Sequence, residues 1–391
     1  MLVFGMLYVL LGLGAFGLLT STVFAGMVVA GARHHLRMRE NETASGFTPS
    51  LSLLKPLHGS EPGLESNLVS FFEQDYPEFE ILFCAAQEND AGLALARQVA
   101  TRYPHIPARF FTTGEPRYIN AKVHSLEMMT AAAQYPILVI SDSDVQVTPE
   151  YLRAVAVPFA KAKTGAMTCL YRGVAAEGGL WARLEAVGMS VEMTAGVLVA
   201  NMLEGMQFVL GPTMAVRTEC VERMGGMGLL GDYCADDYVL GNEVYKQGYG
   251  VALSHHAIDH IVINESLMDS LKHQTRWMQS TRFSRPKGHF GTALTFAMPF
   301  AMLAFLAALT MGRPWLGLAL LGWGVMTRVA IAWAAGRMVV RDTKIFDLLV
   351  LYPVRDLMGF GFWAASYASN RIVWRGRLFR LMLGGKMRAA D

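Results

Sequence analysis

The 391-residue chain is 53% hydrophobic and only 17% charged, against about a quarter charged in an ordinary soluble protein, which excludes a wholly water-soluble enzyme and predicts membrane segments. Its net charge of +2 says little about nucleic acid, but no basic stripe interleaved with aromatics lies in the polar half of the chain, so no nucleic-acid partner is expected. Cys84, Cys169, Cys220 and Cys234 show no C-x-x-C spacing, so neither a zinc site nor a disulfide framework is expected, only reduced, partly buried thiols.

Residues 2–32 carry no charged side chain, which is enough to cross a hydrocarbon core that needs ~20 apolar residues. Ala30-Gly31-Ala32 offers a small-residue cleavage pattern, but Met1–Met6 lacks the positive start of a signal peptide. Arg33-His34-His35-Leu36-Arg37-Met38-Arg39 follows at once, and positive residues just after a span are held in the cytoplasm. The expectation is an uncleaved anchor over 1–32 and a polar cytoplasmic linker over 33–49.

From residue 50 short apolar runs alternate with stretches of helical spacing. Strands are expected at Ser50–Leu54, Glu80–Ala85, Ala108–Phe111 and Ile137–Ser141, with helices at Glu65–Phe72, Ala91–Tyr103 and Ala121–Ala133 between them. Such alternation predicts an α/β domain over 50–288 with a mostly parallel sheet, whose ligands sit beyond the carboxyl ends of the strands. Asp142-Ser143-Asp144 lies at such an end. Two carboxylates one residue apart on the turn leaving a sheet can share a hard divalent cation and a ribose hydroxyl, so the tripeptide reads as a metal-assisted nucleotide-sugar site.

Further along, Met189–Met206 reads either as core packing or as an adaptable wall for an apolar acceptor. Ala235-Asp236-Asp237-Tyr238 and His273-Gln274-Thr275-Arg276-Trp277 then supply acids and a cation. Beyond residue 288, Phe290–Met311 and Trp315–Ala335 read as spans of an antiparallel hairpin. A third segment, Ile345–Ala368, carries Asp347, Arg355 and Asp356, each costly at bilayer depth by ~2.5 to 3.5 kcal/mol. A full third span would also export the basic tail, residues 370–391, against the positive-inside tendency. We therefore read Ile345–Ala368 as re-entrant or interfacial and the tail as cytoplasmic.

These motifs, in this order and together with Leu54-Lys55-Pro56-Leu57-His58-Gly59 and Phe72-Glu73-Gln74-Asp75-Tyr76-Pro77, resemble the ceramide glucosyltransferase family, including hopanoid-associated bacterial glycosyltransferases. The resemblance covers about residues 50 to 290. It implies a GT-A-like (nucleotide-diphospho-sugar transferase) domain that takes a UDP-sugar with Mg2+ or Mn2+, beside N- and C-terminal membrane helices.

By that resemblance Asp144 places the metal on the diphosphate, with Asp142 nearer the ribose or the metal's water shell. Gln87 stands where the family usually has an uracil-reading Asp, with Glu88 and Asp90 as neighbours able to substitute. Lys122, in Asn120-Ala121-Lys122, matches an Asn-x-Lys that holds the base or a phosphate; a solvated surface lysine is the other reading. Asp237 matches the catalytic base, and Asp236 either supports it or serves the helix dipole. His273 replaces the family's Gln or Arg ahead of Arg276-Trp277. At helical spacing the three share a face, letting Arg276 reach the diphosphate and Trp277 the acceptor.

The function expected is transfer of one sugar, with inversion, from a UDP-sugar to a hydroxyl of a membrane lipid, ceramide first and a hopanoid second. A processive polysaccharide synthase needs a polymer channel that so few membrane segments do not build. A non-catalytic membrane protein is the other rival, resting on Gln87 and His273.

Overall fold

The computed structural model describes residues 2–40, 46–176, 179–263, 266–374 and 377–390. The chain divides into two compact units: residues 39–177, 203–263 and 371–391 form one, and residues 1–38, 178–202 and 264–370 the other.

The first unit is built on an eight-stranded sheet. Its strands are β1 (Leu51–Pro56), β2 (Phe79–Ala85), β3 (Ala108–Thr112), β4 (Ile137–Ile140), β5 (Val145–Gln146), β6 (Thr164–Ala175), β7 (Met214–Arg217) and β8 (Gly250–Val262), in the order β3-β2-β1-β4-β7-β6-β8-β5. Strands β3-β2-β1-β4 are parallel, and the helices Leu64–Phe72, Ala91–Ala100 and Ala121–Ala132 connect them, as the alternating pattern predicts. Both β1 and β2 are buried along their whole length, as befits strands covered by helices on both faces.

Beyond β4 the sheet turns mixed. Strand β7 runs antiparallel to both β4 and β6, β6 and β8 are parallel, and β5 closes the edge antiparallel to β8. The long β6–β8 pair carries a register shift at Cys169/Leu170, an irregularity that bends and twists a strand.

The tail is folded. Its strands β9 (Arg371–Trp374), β10 (Arg377–Leu381) and β11 (Met387–Ala389) form an antiparallel sheet. Arg375, one of the basic tail residues, lies outside the described residues.

The second unit is helical. The first helix, Leu2–Glu40, has 39 residues, about 58 Å at 1.5 Å per residue, so it is longer than a bilayer core. Phe4, Leu19 and Val23 are exposed along it, while a Cβ on Gly14 would stand 2.7 Å from Ala304 Cβ and one on Gly31 2.9 Å from Leu198 O. Small residues at such contacts let membrane helices approach closely.

Leu180–Glu204 is a continuous helical stretch, 25 residues long and apolar enough to cross a membrane, with a π-helical segment at Gly188–Met193. The sequence pattern keeps it inside the 50–288 domain; its contacts group it with the helical unit. The expected span Phe290–Met311 is broken. Pro286–Thr295 and Met298–Thr310 meet at 43°, because Pro299, in the first turn, starts a new helix.

The backbone freed at that break is satisfied inside the unit. Asp356 Oδ2 accepts from Ala297 N at 2.9 Å and Met298 N at 2.8 Å, and Arg328 Nη1 donates to Thr295 O at 2.9 Å and Asp356 Oδ1 at 2.7 Å. Hydrocarbon offers no alternative partner for such groups. Asp356 belongs to Ile345–Ala365, an unbroken helix. Its other charges are also paired, Asp347 with Arg183 and Arg355 with Glu192. The charges that argue against a simple span are thus neutralised by partners within the unit.

Candidate active site

The acids converge in the sheet unit because three chain segments end at the same place. Strand β4 delivers Asp142 and Asp144, the helix Asp236–Lys246 delivers Asp236 and Asp237 in its first turn, and the helix Ala121–Ala132 brings Lys122. Asn120 caps the last of these, accepting from Lys122 N at 3.2 Å, and donates through Nδ2 to Tyr233 O, also at 3.2 Å. That cap ties the lysine helix to the loop ahead of the acid pair.

Lys122 Nζ stands 2.6 Å from Asp142 Oδ1 and 3.7 Å from Asp236 Oδ2. Burial alone would lower its pKa, but Asp142 and Asp236 outweigh that and raise it, so the side chain is a fixed ammonium and no solvated surface lysine. The N-cap position of the acid helix is Ala235, which makes no side-chain cap bond; the buried Asp236 carboxyl faces Lys122 instead. Burial pushes the Asp236 pKa up.

Asp237 is half-buried, and both of its oxygens accept backbone N–H groups, Oδ1 from Tyr238 at 2.7 Å and Oδ2 from Gly211 at 2.9 Å. Burial, then the Asp236 charge, pushes its pKa up to about 6. It is therefore an oriented carboxylate, ionised at neutral pH yet basic enough to accept a proton.

Residues to which the sequence assigns no role complete the cluster. Strand β5 follows the D-x-D directly and pairs Val145 with His260 on β8, which sets His260 Nε2 3.4 Å from Asp144 Oδ2. Glu61 accepts from Ser143 Oγ at 3.3 Å, and burial, then Asp144, raises its pKa. Lys55 is fully buried beneath the turn, donating from Nζ to Asp142 O at 2.5 Å, and burial lowers it to about 7. Gly211 borders both acids, since a Cβ there would lie 3.4 Å from Asp237 Oδ2 and 3.6 Å from Asp142 Oδ2.

Five carboxyl groups thus gather around two lysines, an excess of potential negative charge that suits a cation. Asp144 Oδ1 is buried without a hydrogen-bond partner, and His260 Nε2 is beside the same carboxylate. The carboxylate suits a hard divalent ion such as Mg2+ or Mn2+, which takes few protein ligands and completes its shell with water and substrate phosphate, and a neighbouring imidazole favours the less hard Mn2+ of the two. Among the described residues no group of three His, Cys, Asp or Glu side chains could hold a metal alone.

The other expected residues are distributed differently. Gln87 is exposed just past the end of β2. Its neighbours are engaged: Glu88 pairs with Arg97 at 2.6 Å, and Asp90 caps Ala91–Ala100 while accepting from Gly59 N at 2.8 Å. His273, Arg276 and Trp277 lie in the helical unit, on Leu267–Ser284. There His273 Nδ1 is 2.8 Å from Oε1 of the buried Glu185, and its ring is 4.3 Å from that of Trp277.

Comparison with known proteins places these features in a lineage. The sequence profile of glycosyl transferase family 21 matches residues 18–387. A ceramide glucosyltransferase 1 of Caenorhabditis elegans is 25% identical over 348 residues, 88% of this chain and 74% of the relative, and ceramide glucosyltransferase 3 of the same organism is 25% identical over 63% of this chain and 53% of its own length. A mannosyltransferase of Pyrobaculum calidifontis, solved in complex with GDP-Man and Mn2+, superposes with a TM-score of 0.53 at 17% identity, over 91% of this chain and 98% of that one. The fold is GT-A-like.

Proposed function

The chain belongs to glycosyl transferase family 21, and from that premise we propose that it transfers a single sugar, with inversion, from a UDP-sugar to a hydroxyl of a membrane lipid, ceramide first among the acceptors. The observation that carries this reading is the Asp237 carboxylate, held by two backbone N–H groups beside the Lys122–Asp142 pair. The relatives named ceramide glucosyltransferase support the acceptor class.

In this reading Asp237 accepts the proton of the acceptor hydroxyl as that oxygen bonds to the anomeric carbon. The bond from that carbon to the diphosphate oxygen breaks, and its electron pair leaves with UDP. One base suffices and no covalent intermediate forms. Asp144 and His260 would hold the divalent ion, which when bound neutralises the charge developing on the departing diphosphate. Lys122 keeps Asp142 oriented and holds positive charge beside the diphosphate. Gln87, past the end of β2, is the candidate for the uracil edge.

We read the membrane topology from chain order. Residues 39–177, 203–263 and 371–391 fold as one unit and so occupy one side of the bilayer, taken as the cytoplasm from the basic residues after the first helix. In this reading Leu180–Glu204 does not cross, and the chain between 264 and 370 crosses an even number of times.

Purified protein incubated with a panel of UDP-sugars and a total lipid extract, with products identified by mass spectrometry, tests the proposal. A lipid bearing one sugar is expected. A polymer, or no lipid product with any UDP-sugar, overturns it.

A further inference from the structure

The tail sheet has two unlike faces. Cross-strand partners share a face, and the register sets Arg380 opposite both Arg371 and Arg388, so three guanidinium groups stand in one row across three strands. Val373, Leu378 and Lys386 share that face, and every one of the six residues is exposed. Leu383, at the tip of the turn between β10 and β11, is 81% exposed and Val373 is 65% exposed. The opposite face buries Ile372, Phe379, Leu381 and Met387.

This face, with its row of exposed guanidinium groups, complements an anionic surface. Its apolar side chains beside the arginines, and the tip leucine, match a surface with charged headgroups over an apolar interior. In the chain, β9 follows within a few residues of the apolar helix Ile345–Ala365.

The sheet is also joined to the acid pair. Tyr233 bridges to Lys386, Met387 N donates to Asp232 O at 2.7 Å, and Cys234 N donates to Gly385 O at 3.4 Å. Asp232–Cys234 immediately precedes Ala235-Asp236-Asp237.

We propose that the three-stranded tail sheet is a docking face for anionic phospholipid headgroups, which through Asp232–Cys234 holds the acid-bearing helix against the bilayer surface. Only the second half rests on the transferase reading; the docking does not. Each arginine reaching an anionic surface shifts the docking equilibrium by about fivefold, and the attraction weakens with salt.

The test uses the full chain in nanodiscs whose acyl chains carry a bromine quencher, with a fluorophore on Leu383→Cys in a Cys234→Ser background. Disc lipid is phosphatidylcholine alone or mixed with phosphatidylglycerol. Quenching is expected to rise with phosphatidylglycerol, to fall as salt is added, and to drop with Arg380→Gln and again with Arg388→Gln. A label quenched equally in both lipids, or in neither, overturns the proposal even with the unsubstituted arginines. So does a lipid response that survives both substitutions. The readout needs no sugar transfer, so a failed transfer assay leaves it interpretable.

Discussion

Lys122 Nζ lies 2.6 Å from Asp142 Oδ1, and the same ammonium faces Asp236 at 3.7 Å. One buried cation thereby links the acid of the D-x-D turn to the acid pair about ninety residues later, and it helps to keep Asp237 ionised, because its charge lowers the Asp237 pKa that burial and Asp236 raise.

Removing that cation should move the pH profile. A base acts when deprotonated, so transfer by the unsubstituted protein is expected to rise with pH through about 6 and then level off. In Lys122→Ala the limb should move to higher pH, and UDP affinity should fall about tenfold or more as the Asp142 charge loses its partner. The pH dependence of kcat/KM, with UDP binding by calorimetry, checks both; an unmoved limb contradicts the electrostatic role.

Asp144→Asn is expected to abolish the dependence of UDP affinity on Mg2+ or Mn2+. His260→Ala should weaken it by about ten- to a hundredfold, the range typical of residues supporting a metal site. Titrating UDP with and without each metal separates the cases, and identical affinities in the unsubstituted protein and both variants would dismiss the assigned ligands.

Gly211→Ala tests the gap between the two acids. The added Cβ meets Asp237 Oδ2 at 3.4 Å and Asp142 Oδ2 at 3.6 Å, ordinary contacts that the fold accepts, so Tm should hardly change. Transfer should fall by about ten- to a hundredfold through misplacement of the reacting groups. Undiminished transfer would show that the reacting atoms do not pass there.

Much of this was legible before the fold. The strands β1 to β4 announce themselves by strict alternation with helices, and the acids at their carboxyl ends follow from that pattern. Strands β6 and β8 do not, because Ser254, His255, His256, Asp259 and His260 interrupt the apolar run and the pairing needs a register shift. His260 becomes visible only when β5 pairs with β8, and Glu61 and Gly211 only when distant loops close on the D-x-D. The break in the helix after residue 295 and the pairing of Asp356 with Arg328 likewise depend on contacts between separate helices, which periodicity cannot report.

The Arg328–Asp356 pair should govern stability. Both side chains are almost fully buried, at 1% and 2% exposure, so Asp356→Ala strands a buried guanidinium and the two backbone N–H groups at the helix break. A loss of about 3 to 5 kcal/mol is expected, seen as a lower temperature of irreversible unfolding in detergent. Arg328→Met combined with Asp356→Asn, which removes the charges and keeps an acceptor, should recover part of it. A double variant no more stable than Asp356→Ala would contradict the assignment.

If Asp237 is the base, Asp237→Asn should stop the chemical step, which single-turnover sugar transfer to lipid at saturating UDP-sugar measures. UDP-sugar affinity should stay close to that of the unsubstituted protein, with transfer reduced by ~10² to 10⁴, the range of general base catalysis. Transfer above about a tenth of the unsubstituted rate would contradict that role.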